Sequence, residues 1–461
     1  MQNNDKRAKE VGDAPLGAPP VRVQVGIDAA VTANHHVCVR SLDSAGHEHT
    51  ERFLVAPTLS GLALLTRRLA PYPGAVAVAE PTSMTWLSLS VAVSEAGGEL
   101  ALLGSRHSAR LRGAIAGKNK SDVIDADVLA RAGDVFTLRP MPVMTPPQLA
   151  LRRAVTRRGA AVIDGNRYWR RLMSLARWAF PNVWTAFGGS LPTAVAVLGR
   201  WPHLAHLGAA RRASLTAVVA EHTRAVADVP ARVDQIRAAA TAWARFRDGR
   251  LDLDALAWDV SEHLSDYHAA LERVARATTQ ANAYWEQLFG DDELLHSVPG
   301  IGPATGPTIR AFLGDGSMFD TGKQTACYAG IVPSNWSSGT VVQPPRAITK
   351  EGPAVLRLAC YQAANTARAI DPQLAALYYR LMTERGHCHT KANVAVARKL
   401  VERVWTVITR GQSYQLRDPD GQPITSRAAK ALIAERFTVP ADVRQRARAR
   451  SAATHRAKLT R

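Results

Sequence analysis

Cysteines are scarce in this chain. Four occur among its 461 residues, at Cys38, Cys327, Cys360 and Cys388. Their separations match neither the paired spacing of a zinc site nor the density of a disulfide-stabilised domain. Residues 387–389 read His-Cys-His, but adjacent side chains on a loop diverge and do not favour a shared metal. We therefore expect a reduced, cytoplasmic protein without disulfides or structural zinc.

Long apolar segments are also lacking. No stretch of the chain reaches the roughly 18 uninterrupted apolar residues of a membrane-spanning helix. Residues 1–20 are polar, contain proline and glycine, and lack the apolar core of a signal peptide. We expect these residues to form a disordered lead-in rather than a targeting segment.

Acidic residues are in deficit. The chain has 39 Asp and Glu against 58 Lys and Arg, a formal net charge of +19, and its isoelectric point is near 10.3. The excess is spread along the chain, which favours a polyanionic partner, and nucleic acid fits better than a membrane surface. A chain of 461 residues is too long for one core, so two or three domains are expected.

Two of the scarce acids end predicted strands. Segment 21–28 alternates apolar residues with others and ends at Asp28. Segment 74–80 is short and apolar, ends at Glu80, and is followed by Pro81, which stops a strand. Both patterns place a carboxylate at a strand end.

Two further acids begin a predicted helix. Asp122 and Asp125 are three residues apart, a spacing that places both carboxylates on one helical face. Strand-end carboxylates beside such a pair can hold two oxygen-loving cations such as magnesium, which activate a nucleophile and stabilise a phosphoryl transition state. Any one of these acids alone would more often be a cap or a solvated charge. The four in this order predict a metal-dependent nuclease.

Residues 21–140 have the pattern of a complete α/β unit. The predicted elements before the acidic helix are strands 21–28, 36–41, 49–55, 74–80 and 99–103 and helices 59–69 and 86–96. Strands joined by short turns are expected to be antiparallel, and strands separated by helices parallel. A mixed sheet of this order is typical of ribonuclease-H-like nucleases. Segment 141–147, with three prolines, is the predicted domain boundary.

The next part of the chain is helical and basic. Residues 148–184 have apolar positions at helical spacing, and residues 256–289 form a long amphipathic stretch. Three arginines of the first stretch are candidates for nucleic-acid contact: Arg152, Arg153 and Arg157. Such a helix face can be an ordinary solvated surface or can lie along a phosphate backbone, and the sequence favours neither. Long paired helices often dimerise, but the heptad pattern is too irregular to decide this.

A glycine-rich turn marks the start of another block. Residues 297–306 contain Gly-Ile-Gly between two apolar helices. This pattern matches a helix-hairpin-helix, in which Gly300 and Gly302 would let backbone amides approach a phosphate. The alternative is a tight turn between two packed helices.

The C-terminal part is again basic. A helix predicted over residues 392–409 carries Arg398 and Lys399, which are further candidates for nucleic-acid contact. The tail after residue 439 is rich in arginine. We expect that tail to be unstructured until it meets nucleic acid.

Short motifs recur in a fixed order along the chain. In the N-terminal half they are Gly26-Ile-Asp28, Glu80-Pro-Thr82 and Lys120-Ser-Asp-Val-Ile-Asp-Ala126. In the C-terminal half they are Pro299-Gly-Ile-Gly302, Tyr328-Ala-Gly-Ile-Val-Pro333, Ser338-Gly339, Ile348-Thr-Lys-Glu-Gly352, Leu356-Arg357 and Ala397-Arg-Lys-Leu400. Each motif is weak alone, but their number and order are highly specific. With them the chain resembles the DEDD transposases of the insertion-sequence "one-ten" family, relatives of the Piv DNA invertase.

The resemblance implies a fold and a domain order. The expected fold is α/β plus α: a RuvC-like, ribonuclease-H-like mixed-sheet domain, a helical coiled-coil linker, and a mainly helical transposase domain with the helix-hairpin-helix-like turn. The expected boundaries are a lead-in at 1–20, the catalytic domain at 21–140, the linker at 148–290, the transposase domain at 291–415 and a basic tail at 416–461.

The resemblance also implies the chemistry. It assigns Asp28, Glu80, Asp122 and Asp125 as a metal-binding tetrad for magnesium, with manganese as a substitute. It assigns the serine before Gly339 as the nucleophile that forms a phosphoserine bond with DNA. That residue is Ser338, but a second serine precedes it, so the resemblance assigns the loop more securely than the atom.

The implied partners are nucleic acids and further copies of the chain. They are donor and target DNA, a structured noncoding bridge RNA that supplies sequence specificity, and a homo-oligomer, either a dimer or a tetramer on DNA. Gly339 and Lys350 join the candidates for nucleic-acid contact, and the expected location is the nucleoid. Two alternatives stay open: a RuvC-type structure-specific nuclease that uses the acids alone, and a nucleic-acid-binding protein without catalysis.

Overall fold

The chain folds into two compact units, residues 1–145 and 146–461. The computed structural model describes residues 22–43, 45–179, 182–187, 190–223, 228–334, 337–338, 341–342 and 347–459. The expected lead-in at 1–20 lies outside these residues. Within the described ranges no helix is both long enough and apolar enough to cross a membrane.

The first unit is built on a six-stranded mixed sheet. Its strands are β1 (Arg22–Asp28), β2 (His35–Leu42), β3 (Glu48–Val55), β4 (Val76–Ala79), β5 (Glu99–Leu102) and β6 (Pro140–Met141). Their order is β3-β2-β1-β4-β5-β6. The three N-terminal strands pair antiparallel, β1, β4 and β5 pair parallel, and β6 returns antiparallel to β5. The predicted mixed sheet is confirmed, while β6 was not predicted.

Helices cover both faces of this sheet. They are α1 (Leu59–Leu69), α2 (Thr85–Glu95), α3 (Ser105–Ala116), α4 (Asp122–Ala130) and the short α5 (Ala132–Val135). Alternation along β1 directs Val25 and Ile27 into a core with α1 and α2. Gly26 and Asp28 therefore belong to the opposite face, where α4 contacts β1. Helix α3 was not predicted from the sequence.

Gly26 allows α4 to lie unusually close to the sheet. A Cβ atom at this position would be 2.0 Å from the Ala126 carbonyl oxygen and 2.3 Å from the Ala130 nitrogen. Both atoms belong to the backbone of α4, so a side chain at position 26 would force the helix away. The contact brings the N-terminal turn of α4 to the end of β1.

The second unit is mainly helical and is organised by two long helices. These are α6 (Pro146–Ala179) and α12 (Leu253–Phe289). Gly165 faces Ala270, and Arg158 Nε donates to Thr278 Oγ1 at 2.9 Å, so the two helices run antiparallel. The pair carries a hydrophobic core at each end.

One of these cores contains the helices between α6 and α12. They are α7 (Val183–Ala186), α8 (Leu191–Arg200), α9 (Leu204–Ala209), α10 (Arg212–Glu221) and α11 (Val229–Arg247). Their apolar faces pack on the C-terminal half of α6, around Leu172, and on the N-terminal half of α12, around Leu264. This cluster buries Phe187 completely.

The remaining elements follow α12, and most of their helices pack in the other core. They are α13 (Glu293–His296), α14 (Gly306–Leu313), α15 (Gly322–Tyr328), a two-stranded ribbon of β7 (Ser337–Ser338) and β8 (Val341–Val342), α16 (Ala354–Ala367), α17 (Pro372–Thr383), α18 (His389–Arg410), α19 (Ser426–Arg436) and α20 (Ala441–Leu459). Leu151 of α6 and Trp285 of α12 belong to this core. The helical character expected for this part of the chain is confirmed.

The expectation of an unstructured Arg-rich tail is wrong. Helix α20 occupies the chain after residue 439 and contacts α17 and α18, while the preceding α19 also contacts α17. Ala429 of α19 is fully buried, and Val439 and Ala447 join the C-terminal core. Because arginine dominates the composition, these few apolar positions form no visible pattern in the sequence. They are nevertheless enough for both helices to pack against the rest of the unit.

The glycine turn at 297–306 packs against protein. Gly300 has a φ of 82°, and a Cβ there would lie 2.2 Å from the carbonyl oxygen of Ala363 in α16. Nothing lies within 4 Å of a Cβ built on Gly302. At Gly300 the need for glycine is therefore explained by a tight interhelical turn, because the close neighbour is the backbone of α16.

A buried ion pair joins this core to the long helices. Arg310 of α14 donates to both carboxylate oxygens of Asp292, at 2.6 and 2.8 Å. Trp285 Nε1 of α12 donates to the same carboxylate at 3.0 Å. The Arg310 and Asp292 side chains are only 7% and 2% exposed, so each charge depends on the other.

Asp292→Ala should strongly destabilise the second unit. The substitution leaves the Arg310 guanidinium buried without its partner, which costs about 3–5 kcal/mol. Urea-induced unfolding followed by tryptophan fluorescence measures this loss. The adjacent Asp291, whose side chain is 84% exposed, provides the control Asp291→Ala. Equal stability of the two variants would contradict the role given to the buried pair.

Candidate active site

Two of the predicted acids lie side by side at the ends of neighbouring strands. Ile27 of β1 and Ala79 of β4 are partners in the parallel register. The residues that follow them are Asp28 and Glu80, which therefore occupy equivalent positions at the carboxyl edge of the sheet. This edge is where open α/β sheets place their ligands.

The other two acids come from the first turn of α4. Ser121 caps this helix, because its hydroxyl accepts a hydrogen bond from the Ile124 amide at 3.2 Å. Asp122 and Asp125 both belong to the turn that follows. The close contact at Gly26 brings this turn to the end of β1, so all four acids converge.

The electrostatics of Asp28 reflect this convergence. Its pKa is raised from 3.8 to about 6, first by burial and then by the negative charges of Asp125, Asp122 and Glu80. Like charges around one carboxyl disfavour its ionised form. The structure thus brings the four predicted acids together in the first unit.

Helix α3 contributes two partners that the sequence analysis missed. Arg112 Nη1 lies 2.7 Å from Asp125 Oδ1, with the two side chains 21% and 14% exposed. The Ser108 hydroxyl donates to Glu80 Oε1. Ser108 and Arg112 are four residues apart and share one helical face. This Ser-x-x-x-Arg spacing between the last parallel strand and the acidic helix is the pattern that could have identified them.

The donor set fits a hard divalent cation by its chemistry. The four groups are carboxylates, the ligands that magnesium and manganese prefer, and their mutual repulsion is what a cation relieves. Within the described residues, however, no three Asp, Glu, His or Cys side chains are arranged to hold a metal ion. Arg112 instead supplies positive charge at Asp125. His36 adds a weaker contact, with Nε2 3.8 Å from Asp122 Oδ2.

The predicted nucleophile lies in the second unit. Ser337 and Ser338 form strand β7, and Ser338 pairs with Val341 of β8. Gly339, the residue predicted to approach a phosphate, is outside the described residues. The described backbone thus places both serines on one short ribbon.

The basic candidates on α6 differ in their surroundings. The Arg152 guanidinium stacks 4.7 Å from the ring centroid of Phe312 and is partly buried, whereas Arg153 and Arg157 are exposed. Arg152 therefore contributes to packing between α6 and α14. Arg153 and Arg157 are the members of this set that are accessible to a phosphate backbone.

The remaining candidates lie on α18 and in a loop. Arg398 and Lys399 both contact Glu402, at 3.2 and 2.9 Å, so part of their charge is neutralised within α18. Lys350 is exposed and has a left-handed φ of 57°. Lys350 and Lys399 are both exposed, whereas Arg398 is partly buried.

Two family models match the chain. A model of the DEDD transposase of IS110, described as a transposase, matches residues 25–181. A model described as the transposase IS116/IS110/IS902 family matches residues 292–379. Together they cover more than half of the chain, and the first match continues past residue 145 into the second unit. The chain belongs to the IS110 family of transposases. As a member of this DEDD family, the transposase acts on DNA and is expected to use divalent metal.

Relatives match over different lengths. The uncharacterized 43.6 kDa protein of insertion element IS110 from Streptomyces coelicolor is 26% identical over 87% of this chain and 97% of its own. The 44.8 kDa protein of insertion element IS116 from Streptomyces clavuligerus is 28% identical over 84% of this chain and 94% of its own. The pilin gene-inverting protein of Moraxella lacunata is 29% identical over 27% of this chain and 38% of its own.

Asp28→Asn should stabilise the metal-free transposase at neutral pH. The folded protein keeps a proton on Asp28 up to about pH 6, whereas an unperturbed aspartate loses it near 3.8. The folded state therefore loses stability as the pH rises through this window, and the substitution removes that loss. Thermal unfolding in EDTA should show a higher Tm for the variant at neutral pH and a smaller difference at about pH 4.

Asp127→Asn, on the same helix, is the control, and the opposite change in Tm is expected for it. Burial alone raises the pKa of Asp127, but hydrogen bonds from Arg52 and Cys38 hold it below its usual range. Its carboxylate therefore stabilises the fold above that range, and its loss should lower the Tm at neutral pH. If Asp28→Asn lowered the Tm at neutral pH as Asp127→Asn does, the crowding assigned to Asp28 would be wrong.

Proposed function

We propose that this transposase cleaves and rejoins DNA through a phosphoserine intermediate, with magnesium at the acidic tetrad. The observation that carries the proposal is the convergence of Asp28, Glu80, Asp122 and Asp125 on one sheet edge. These four carboxylates would hold the ion, which when bound would supply Lewis-acid polarisation of the scissile phosphate and would stabilise the charge of the transition state. The domain boundaries expected from the sequence, including a RuvC-like catalytic domain at 21–140, are part of this proposal.

The four carboxylates and Arg112 together determine the charge of the site in the absence of a cation. The carboxylates repel one another, and Arg112 partly neutralises them through Asp125. If Asp125 held a cation, Arg112 would lose this partner, and its guanidinium would be free to bind another anion. A free guanidinium beside a scissile phosphate is a strong anion ligand.

The serine step conserves the energy of the phosphodiester. The Ser338 Oγ attacks phosphorus, a serine–phosphate bond forms, and the bond to the DNA 3′-oxygen breaks. The serine proton ends on that oxygen. A 3′-hydroxyl of another strand then attacks the phosphoserine and restores the serine, so rejoining needs no ATP. Water in place of serine would lose this energy.

Ser338→Ala should abolish both the covalent adduct and recombination. Ser337→Ala is its matched control and should keep a measurable fraction of each, because only Ser338 directly precedes the glycine. Purified proteins are incubated with labelled element ends and magnesium, and adducts are resolved by denaturing electrophoresis and mapped by peptide mass spectrometry. An adduct on Ser337 would move the nucleophile by one residue.

Asp28→Ala separates the proposal from its two alternatives. It should remove cleavage while nucleic-acid binding stays. Strand hydrolysis by the wild type without any adduct would identify a RuvC-type nuclease. Metal-independent binding without cleavage would identify a binding protein. Recovery of recombination on mixing Asp28→Ala with Ser338→Ala would support action as a homo-oligomer.

Site choice is proposed to come from a noncoding bridge RNA bound together with donor and target DNA at the nucleoid. The exposed arginines Arg153 and Arg157 suit phosphates, which carry no sequence information. The net charge of +19 suits a partner with many phosphates. Base pairing would then read sequence while the protein reads duplex shape, as in other RNA-guided systems.

RNase treatment should remove sequence preference but not DNA binding. The protein alone should bind DNA weakly, with steep salt dependence, because backbone contacts release counterions. Adding the element's own noncoding RNA should restore site choice, and altered guide loops should redirect it. This is measured by sequencing recombination products. Undiminished specificity after RNase treatment would exclude an RNA guide.

A further inference from the structure

A cavity of about 710 Å³ lies in the C-terminal core of the second unit. It is lined by residues of α17, α18, α19 and α20, together with the end of α16 and the α19–α20 connection. Its volume is within the range of about 300–1,000 Å³ that is typical of ligand sites. A single inorganic phosphate would leave most of this space unfilled.

The charge of the cavity is strongly positive. Arg368, Arg444 and Arg448 line it, and none of its lining residues is an aspartate or a glutamate. His389 also lines the cavity. The pKa of its imidazole is lowered, mainly by burial and also by the positive charges of Arg368 and Arg448. Three guanidinium groups without a facing carboxylate suit an anionic ligand.

The walls of the cavity are aromatic and apolar. Tyr378 and Phe437 line it, together with Met382 and Ile433. The Arg368 guanidinium stacks on Tyr378 at 4.3 Å from the ring centroid. The Tyr378 hydroxyl lies 2.9 Å from His389 Nδ1, a hydrogen bond that fixes both rings. These surfaces suit a flat ring system.

We propose that this cavity binds an unpaired nucleotide of a nucleic-acid strand. Arg444 and Arg448 contact its phosphates, and its base packs against Phe437 beside the Arg368–Tyr378 stack. A plain hydrocarbon would leave Arg444 and Arg448 without an anionic partner in the lining, and a bare phosphate would leave the Phe437 ring uncovered. Aromatic stacking combined with arginine contacts is the general way in which proteins hold single strands.

The lining of the cavity shares no residue with the proposed chemistry. Helices α19 and α20 lie beyond residue 379, where the second family match ends, and the tetrad is in the first unit. The inference rests on the nucleic-acid substrate of a transposase, but not on the serine or the guide RNA. Binding measured in EDTA therefore tests it independently of strand cleavage.

The experiment compares two charge-matched double variants of the full chain. Arg444→Gln with Arg448→Gln removes two lining arginines. Arg427→Gln with Arg446→Gln is the control, since both arginines are exposed residues of the same two helices outside the lining. Fluorescence anisotropy measures binding to labelled single-stranded RNA, single-stranded DNA and duplex DNA of about eight nucleotides.

The lining variant should lose about ten-fold or more in single-strand affinity, and the control much less. Phe437→Ala should weaken single strands but leave the duplex unchanged, because only an unpaired base can enter. A 5-iodouridine strand should crosslink to Phe437, and mass spectrometry should map the crosslinked residue. The strand that loses more affinity, RNA or DNA, identifies the natural source of the nucleotide.

Two results would overturn the proposal. Equal losses in the lining and control variants would show that only net charge matters. Equal losses for single strands and duplex in Phe437→Ala would show that no unpaired base is held. Circular dichroism checks folding, and Phe437→Tyr, which keeps the ring, should bind like the wild type.

Discussion

The convergence of the four acids at the sheet edge depends on one close contact between backbones. Where β1 carries Gly26, α4 comes so near that a Cβ would meet the Ala126 carbonyl at 2.0 Å. Small residues on the facing side of the helix, Ala126 and Ala130, complete the fit. Without this approach the first turn of α4 would be displaced from the end of β1, and its two acids would be displaced with it. Backbone proximity, rather than any attraction between the carboxylates, assembles the tetrad.

Bringing the four carboxylates together is electrostatically unfavourable, and neighbouring residues partly offset this repulsion. The carboxylates disfavour one another, which is why burial and their charges raise the pKa of Asp28 to about 6. Arg112 and Ser108 from α3 each hold one of the acids. Strain of this kind is common where a site is selected for chemistry rather than stability. The fold keeps the acids together in the absence of a cation by supplying charge from a third element.

The sequence predicted what periodicity can reveal. Alternation identified β1, and acid spacing identified the start of α4. Helix α3 was missed because it buries only Ser108 and Leu111, too few for an apolar stripe, so Arg112 was missed as well. The tail helices were missed because they dock through isolated small residues such as Ala429 and Ala447. Which element packs against a given glycine, as α16 packs against Gly300, depends on contacts between residues distant in sequence. Local sequence patterns do not encode such contacts.

The long helix pair of the second unit restricts how the chain can change in length. With 34 residues in α6 and 37 in α12, the pair extends about 50 Å at 1.5 Å per residue. A one-residue insertion in either helix turns everything beyond it by about 100° and breaks the facing contacts of both cores. Only insertions or deletions of about seven residues, made in both helices at matching heights, keep each core facing its partner. Relatives of different length are thus expected to differ in their loops. Where the helices themselves differ in length, both should differ by the same number of residues, in multiples of two helical turns.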